Sequence, residues 1–438
     1  MRTSRLLVPL LLSSVLLIGC SADERSTTTN PTDTVTSATA TTDPTATEAT
    51  TIDVPDTTQP TTEPTSPPAP TDGEMVGQEP TAAPIGLTAT ASTLTYRIEG
   101  AAGAPVEATA TLLTPVGDTP TEGWPLMVWA PGGTGLADAC ATGASPDLFG
   151  QAPFLAPVIA AGVAVVVPNY EGLAAPGDGT YRDSESLAHA TLGAARAAFA
   201  VGGISHRYAL AGYSLGGQAA LAAAEHANDW APDLTLVEVL SVAPAPWAAD
   251  VQTSHFDEQI AAALAAGDTV KASTLTALKT ALLSYLIAGL TVRHPELQLV
   301  DSLGSNAAAL AGGVTERCTV DLIVAVIGDI SAFTTTGGTV ADYPGVLPEW
   351  FNEPAMKAAL AANRYGNVAI DAPVIVVHGT GDQIVPNVAT LATVDALKAV
   401  GNDVTYVNTT ALDHFGQLTA PGTATARDQL VQVLLGTE

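Results

Sequence analysis

The sequence is poor in cysteine, in aromatic side chains and above all in positive charge. Only 3 of its 438 residues are cysteine, 5% are aromatic, and 15 lysines and arginines stand against 44 aspartates and glutamates, which gives a formal net charge of −29. Nucleic acids and anionic lipids both select basic surfaces, so this composition excludes binding to either of them through charge. Metal-ligand spacings, a dinucleotide-binding glycine motif and a phosphate-binding loop are also missing, and we expect no metal and no cofactor.

Hydrophobic residues, in contrast, make up 47% of the chain, and the first run of them lies at the N-terminus. Two arginines precede the apolar run Leu6–Ile18, which is too short to cross a membrane comfortably and is typical of a signal peptide. The letters LIGC at residues 17–20 resemble the lipobox of bacterial lipoproteins, in which the cysteine becomes the lipidated first residue. We therefore predict a signal peptide over residues 1–19 and a lipid anchor at Cys20, which would place the protein outside the cell membrane. A plain secretory signal is the alternative.

A segment of threonine, proline, serine, alanine and acidic residues follows, from Ser26 to about Pro84. It has almost no bulky apolar side chains, so it cannot bury enough surface to offset the entropy lost on ordering. We predict a disordered tether over residues 20–86, which would hold the folded part away from the membrane. An O-glycosylated stalk has the same composition.

Strand and helix patterns alternate from residue 87 onward. Short apolar runs such as Leu126–Ala130 and Val163–Val167 predict strands that are buried on both faces, which is typical of a parallel sheet covered by helices. This alternation fills residues 87–243 and resumes over residues 349–438. Helical patterns dominate residues 244–348, and we predict that this insertion is a cap or lid over one end of the sheet.

The pentapeptide Gly212-Tyr213-Ser214-Leu215-Gly216 fits the pattern G-x-S-x-G. It lies between a short apolar run and a stretch rich in alanine and leucine, as expected for a strand that turns into a helix. In this motif the serine stands on the sharp turn, clear of the sheet, and the flanking glycines let strand and helix pass closely. We predict that Ser214 is a nucleophile.

A serine hydroxyl needs a base to accept its proton and an acid to orient that base. With this type of turn, the acid and then the histidine follow the serine along the chain. Asp382 follows the apolar strand predicted at Pro373–His378, and His414 lies in the loop after the last predicted strand. We therefore predict a triad of Ser214, Asp382 and His414, and we interpret His378 as a structural residue at a strand end.

An acyl-transfer site also needs two N–H groups that bind the oxyanion of the tetrahedral intermediate. One is predicted to come from Leu215, which follows the nucleophile. The other is predicted to come from the glycine-rich loop Pro131–Gly135, with Gly133 as the first choice and Thr134 as the second.

Two cysteines, Cys140 and Cys318, remain after Cys20. In an exported chain such a pair suggests one disulfide, which would tie the predicted oxyanion loop to the end of the cap. Two buried free thiols are the alternative.

These motifs give the chain a family resemblance that extends from about residue 87 to the C-terminus. It resembles the α/β-hydrolase superfamily and, within it, the secretory lipases of the lipase-A type and their actinobacterial relatives. The resemblance is carried by WAPGGTG at 129–135, VPNYEGL at 167–173, GYSLGG at 212–217 and HGTGD at 378–382. It implies a mostly parallel central sheet with helices on both faces, a helical lid, and hydrolysis of carboxylic esters, often acylglycerols. Pro131 departs from the family, which often has histidine before the oxyanion glycine.

We therefore expect an esterase or lipase that forms an acyl-enzyme from a small hydrophobic ester or acylglycerol. A serine peptidase of the same fold and a non-catalytic surface-binding lipoprotein are the alternatives. The expected partners are the ester substrate and, through Cys20, the membrane, and we expect a monomer that binds no nucleic acid.

Overall fold

One mixed sheet organises the part of the chain that the structure, a computed structural model, describes: residues 72–437. Within these residues the sheet has nine strands. They are β1 (Glu74–Thr81), β2 (Ala89–Glu99), β3 (Pro105–Pro115), β4 (Trp124–Ala130), β5 (Ala164–Pro168), β6 (Ile204–Tyr213), β7 (Thr235–Val242), β8 (Val374–His378) and β9 (Val404–Asn408).

The strands follow the order β1-β2-β3-β5-β4-β6-β7-β8-β9 across the sheet. In this order the first three pairs, from β1 to β5, are antiparallel. The remaining five pairs, which begin with β5 and β4 and end with β8 and β9, are parallel. The loops that follow β4, β6, β8 and β9 therefore open at the same edge of the sheet, where open α/β sheets bind their ligands. The elbow, the acid, the histidine and the glycine-rich loop all lie at this edge.

Helices cover both faces of the sheet. In chain order the helices of the described residues are α1 (Ala152–Ala160), α2 (Ser184–Val201), α3 (Leu215–Trp230), α4 (Ala249–Ala265), α5 (Thr269–Arg293), α6 (Ser305–Leu310), α7 (Thr319–Thr335), α8 (Pro354–Ala362), α9 (Asn387–Ala399) and α10 (Pro421–Leu435), of which α4 to α8 lie in an insertion between β7 and β8. Neighbouring residues of β4 show the two faces: Val128 lies in the cluster that includes α2 and α3, and Met127 in the cluster that includes α1 and α10. The predicted fold class, a mostly parallel sheet with helices on both faces, is confirmed.

The folded part begins earlier than the sequence predicts. Strand β1 lies inside the segment predicted as a tether, so the boundary at residue 86 is too far along the chain. Its side chains are mostly exposed, and its backbone pairs with β2 in antiparallel register. An edge strand that is held by backbone hydrogen bonds needs few apolar residues, and composition therefore does not reveal it. The predicted signal peptide, Cys20 and the rest of the tether lie outside the described residues.

Helices α4 to α8 lie between β7 and β8, and α4 to α7 fall within residues 244–348. Residues beyond position 348 also pack with this segment, since Trp350 and Met356 share a cluster with Leu286 of α5. Helix α5 has 25 residues and by length and composition alone could cross a membrane. Because 72% of its most apolar window is buried inside the protein, α5 has the character of a core helix.

Candidate active site

Strand β6 turns into helix α3 at Ser214, and the turn is tight. Ser214 has φ 57° and ψ −115°, a conformation that costs on the order of 1–3 kcal/mol in a residue other than glycine. Backbone hydrogen bonds hold it there: the Ser214 amide donates to the Val242 carbonyl and the Ser214 carbonyl accepts from the Ala245 amide, both at 2.9 Å. A Cβ atom at Gly212 would clash with the carbonyl of Gly216, and one at Gly216 would clash with a carbonyl of β4. Close backbone approach therefore requires both glycines of the motif.

The structure brings the three predicted triad residues together. The Ser214 Oγ lies 2.9 Å from His414 Nε2, and His414 Nδ1 lies 2.7 Å from Asp382 Oδ2. Because an ionised carboxylate only accepts hydrogen bonds, the imidazole hydrogen is on Nδ1, and Nε2 is free to accept from the serine hydroxyl. Such an arrangement can remove the serine proton.

No group of three or more His, Cys, Asp or Glu residues is placed to hold a metal ion in the part of the chain that the structure describes.

The Asp382 carboxylate accepts four hydrogen bonds. Its Oδ1 accepts from the amides of Ile384 and Val385, at 2.9 and 2.8 Å. Its Oδ2 accepts from His414 and also from Nε2 of His378, at 3.1 Å. Burial by itself would raise the pKa of Asp382, but the two imidazoles outweigh this effect and hold the pKa well below its usual value. Asp382 is therefore ionised at neutral pH although it is buried.

Two residues that the sequence analysis did not single out support the histidine. The Tyr213 hydroxyl donates to the carbonyl of His414 at 2.9 Å, and burial raises the pKa of this phenol well above 10, so that it keeps its proton. Gln417 is fully buried and donates to the carbonyls of Leu412 and Asp413, at 3.1 and 2.8 Å. Tyr213 occupies a position that the G-x-S-x-G pattern leaves free, and a glutamine in a loop has no sequence signature. Only the contacts reveal their roles.

The glycine-rich loop after β4 lies beside the start of α3. The amides of Leu215, Gly133 and Thr134 have no acceptor among residues 72–437, whereas the Gly132 amide donates to a glutamine side chain at 3.2 Å. Thr134 and Leu215 line one small cavity together. Gly133 does not line this cavity itself, although it lies against Tyr181, which does.

A disulfide joins this loop to helix α7 of the insertion. Cys140 and Cys318 are bonded, with their Cα atoms 5.3 Å apart, which confirms the predicted pair. Next to the disulfide, the Thr319 amide donates to the Thr134 carbonyl at 2.7 Å, and the Thr134 hydroxyl donates to the Cys140 carbonyl at 2.6 Å. The start of α7 thus holds the glycine-rich loop from outside the sheet.

Helix α4 of the insertion contacts the loop that carries the acid. Gln252, His255 and Gln259, which follow one another at helical spacing, donate side-chain hydrogen bonds to backbone carbonyls of residues 382–384, at 3.0 to 3.2 Å. His255 contacts only the backbone of the acid residue, since its partner there is the Asp382 carbonyl. The insertion therefore contacts both loops of the site.

Solved structures of lipases and esterases share this fold. Lipase A from Candida antarctica in its closed state matches with a TM-score of 0.60 and 17% sequence identity, over 84% of this chain and 83% of the lipase. The rice cell wall degrading esterase LipA from Xanthomonas oryzae matches with a TM-score of 0.62 and 18% identity, over 83% of this chain and 98% of the esterase. At these identities the likeness shows the fold alone.

The family comparison goes further than the fold. No curated protein sequence matches this chain. The model of the secretory lipase family, however, matches residues 150–427, which is more than half of the chain and includes the elbow, the acid and the histidine. The chain therefore belongs to the secretory lipase family.

Proposed function

We propose that the protein is a carboxylic ester hydrolase that uses Ser214 as its nucleophile. Membership of the secretory lipase family supports an exported hydrolase of the lipase or esterase type. The distance of 2.9 Å between Ser214 Oγ and His414 Nε2 is the observation that carries the assignment of the nucleophile. His414 takes the proton as Ser214 attacks the ester carbonyl, and it then donates that proton to the leaving alkoxide. Water attacks the acyl-enzyme by the same route, while Asp382 orients and stabilises the imidazolium.

The oxyanion would be held by the amides of Leu215 and Thr134. Both amides lack another acceptor among the described residues, and both residues line the same cavity. Gly133, the first choice from the sequence, does not line this cavity and is the weaker candidate. The loss of one such donor typically lowers kcat by about 10²–10³.

We propose a hydrophobic ester or acylglycerol as the substrate. The protein has a net charge of −29, which repels anionic esters. Membership of the secretory lipase family supports an ester in preference to a peptide. In this proposal residues 244–348 act as the lid, since helices α4 and α7 contact the two loops of the site.

We also propose that the chain is exported by its signal segment over residues 1–19 and anchored through a lipid on Cys20. The sequence around Cys20 supports this proposal. Mass spectrometry of the N-terminal peptide should show a diacylglyceryl cysteine, and Cys20→Ser should release the protein into the medium. A mature N-terminus that lies past Cys20 would contradict the anchor and leave a secreted enzyme.

Active-site labelling provides the central experiment. A fluorophosphonate probe should label the wild-type protein, and Ser214→Ala should abolish both this labelling and the hydrolysis of p-nitrophenyl esters. Ser205→Ala, at a half-buried serine near the other end of the same strand, serves as the matched control and should behave like the wild type. Cleavage of aminoacyl anilides without ester cleavage would identify a peptidase, and a wild-type protein that neither labels nor hydrolyses would be a binding protein.

A further inference from the structure

A second histidine contacts the acid of the site. The His378 side chain is fully buried at the end of β8, and each of its ring nitrogens has a partner. Its Nε2 lies 3.1 Å from Asp382 Oδ2, and its Nδ1 lies 2.8 Å from the hydroxyl of Thr390. Thr390 lies on α9 and is also buried.

The direction of these hydrogen bonds follows from the acceptor. The ionised Asp382 carboxylate can only accept, so the hydrogen of His378 is on Nε2. Nδ1 is then an acceptor, and the Thr390 hydroxyl donates to it. One line of hydrogen bonds therefore runs from Thr390 through His378 to Asp382, and it ends on the oxygen that also accepts from His414.

The hydrogen bond from His378 adds a fourth restraint to the Asp382 carboxylate. Amides of its own loop hold Oδ1, and two imidazoles share Oδ2, so the carboxylate group cannot rotate without breaking hydrogen bonds. An apolar side chain would fill the space at His378 without needing buried partners. The histidine adds a donor that disperses the negative charge facing His414.

We propose that His378 is a positioning residue for ester hydrolysis, which together with Thr390 fixes Oδ2 of Asp382 so that His414 stays aligned with Ser214. The inference rests on the proposed function, since it concerns the same triad. His378 does not touch the reacting atoms and acts only through the acid.

Loss of this donor should also change the pH profile. The titratable groups that face Asp382 are His378 on β8, His414 after β9, Tyr213 at the end of β6 and, at its backbone carbonyl, His255 on α4. Without His378 the charge of Asp382 is less dispersed, and it attracts the protonated form of His414 more strongly. The acid limb of kcat/KM should therefore move to higher pH.

The test compares variants that keep or remove the donor. His378→Leu removes it, whereas His378→Gln places an amide N–H at the same number of bonds from Cα. We expect His378→Leu to lower kcat roughly 10- to 100-fold, the equivalent of one charge-assisted hydrogen bond, with KM within about twofold of the wild type. His378→Gln should recover most of this loss, and the acid limb should shift in His378→Leu but not in His378→Gln.

Thr390→Val keeps the proposal testable if His378→Leu does not fold. It should lower kcat by about 3- to 10-fold, the equivalent of one neutral hydrogen bond, and move the acid limb in the same direction. The control is Thr191→Val on α2, which removes a buried hydroxyl bonded only to the Leu187 carbonyl and should not alter kcat.

Three outcomes would overturn the proposal: a folded His378→Leu with wild-type kcat, a His378→Gln as inactive as the leucine variant, or a Thr390→Val indistinguishable from Thr191→Val. These three comparisons are made only after the wild-type protein has been shown to hydrolyse esters and Ser214→Ala has been shown not to. If the wild type is inactive, it is the proposed function that fails.

Discussion

The two loops that frame Ser214 are held in different ways. The loop that follows β8 and carries Asp382, here called the acid loop, is fixed mainly by its own residues and by the sheet. The Asp382 carboxylate accepts from the amides of Ile384 and Val385 and from His378 at the end of β8. The glycine-rich loop after β4 has few side chains with which to fix itself. Core side chains hold its first residues, since Tyr170 donates to the Pro131 carbonyl and the Gly132 amide donates to Gln151. Its Thr134 end is held by the insertion, through the nearby disulfide at Cys318 and the hydrogen bond from the Thr319 amide.

This difference assigns separate tasks to the core and the insertion. The core alone supplies a serine, a histidine and an acid that are already hydrogen bonded. The proposed second oxyanion donor, Thr134, is bonded to the start of α7. We infer that substitutions in the insertion should weaken oxyanion binding, while the hydrogen bonds among Ser214, His414 and Asp382 stay intact.

Asp382→Asn should have the largest effect. The amide nitrogen can donate to His414 Nδ1 and so favour the tautomer that cannot accept the serine proton, and kcat should fall by about 10⁴-fold. Steady-state ester hydrolysis measures the loss. Asp413→Asn, which alters the adjacent carboxylate that accepts from the Gly416 amide, is the control and should stay within a few-fold of the wild type. Equal losses in the two variants would contradict the assignment of the acid.

Removal of the disulfide should come second. The double variant Cys140→Ser, Cys318→Ser should lose about 2–5 kcal/mol of unfolding free energy, as is typical for a native disulfide. Its kcat should fall by about 10- to 100-fold, less than the 10²–10³ expected for complete loss of an oxyanion donor. The pH profile of the remaining activity should match the wild type, because the relay is held independently. Unchanged kcat in the double variant would show that the glycine-rich loop positions itself.

Low pH should destabilise the acid loop before it destabilises the glycine-rich loop. The folded protein holds the pKa of Asp382 below its unfolded value of about 4. The unfolded state therefore binds this proton first as the pH falls, and the stability that Asp382 contributes above pH 4 is lost as the pH drops toward the folded pKa. The free energy of unfolding should fall more steeply below pH 4 in the wild type than in Asp382→Asn, by at most about 1.4 kcal/mol per pH unit. Parallel slopes in denaturant titrations would refute this.

The contacts between α4 and the acid loop should matter least. Gln259→Ala removes one hydrogen bond from the insertion to residue 383, and its effect on kcat should be within about twofold because a typical hydrogen bond contributes only about 1 kcal/mol and this one does not touch the carboxylate. A loss as large as that of the disulfide variant would mean that the insertion holds both loops, and the contrast drawn above would fail.

Local sequence patterns were sufficient to select the three residues of the proposed triad. The elbow around Ser214 is a strand that turns into a helix, and Asp382 and His414 each follow a predicted strand in the order that this fold requires. Continuous apolar strands indicated a parallel sheet, and parallel strands bring the loops at their carboxyl ends to one edge. The pairing of Cys140 with Cys318 followed from the count of cysteines in an exported chain.

Tertiary structure alone decided how those groups are supported. Strand β1 is held by backbone hydrogen bonds to β2, which leave no hydrophobic pattern in the sequence. The partners of Asp382 come from β8, from its own loop and from the loop after β9, while Thr134 meets Leu215 across residues far apart in the chain. A hydrogen bond of this kind depends on atomic positions to within a few tenths of an ångström, and those positions are set only when distant segments pack around the sheet.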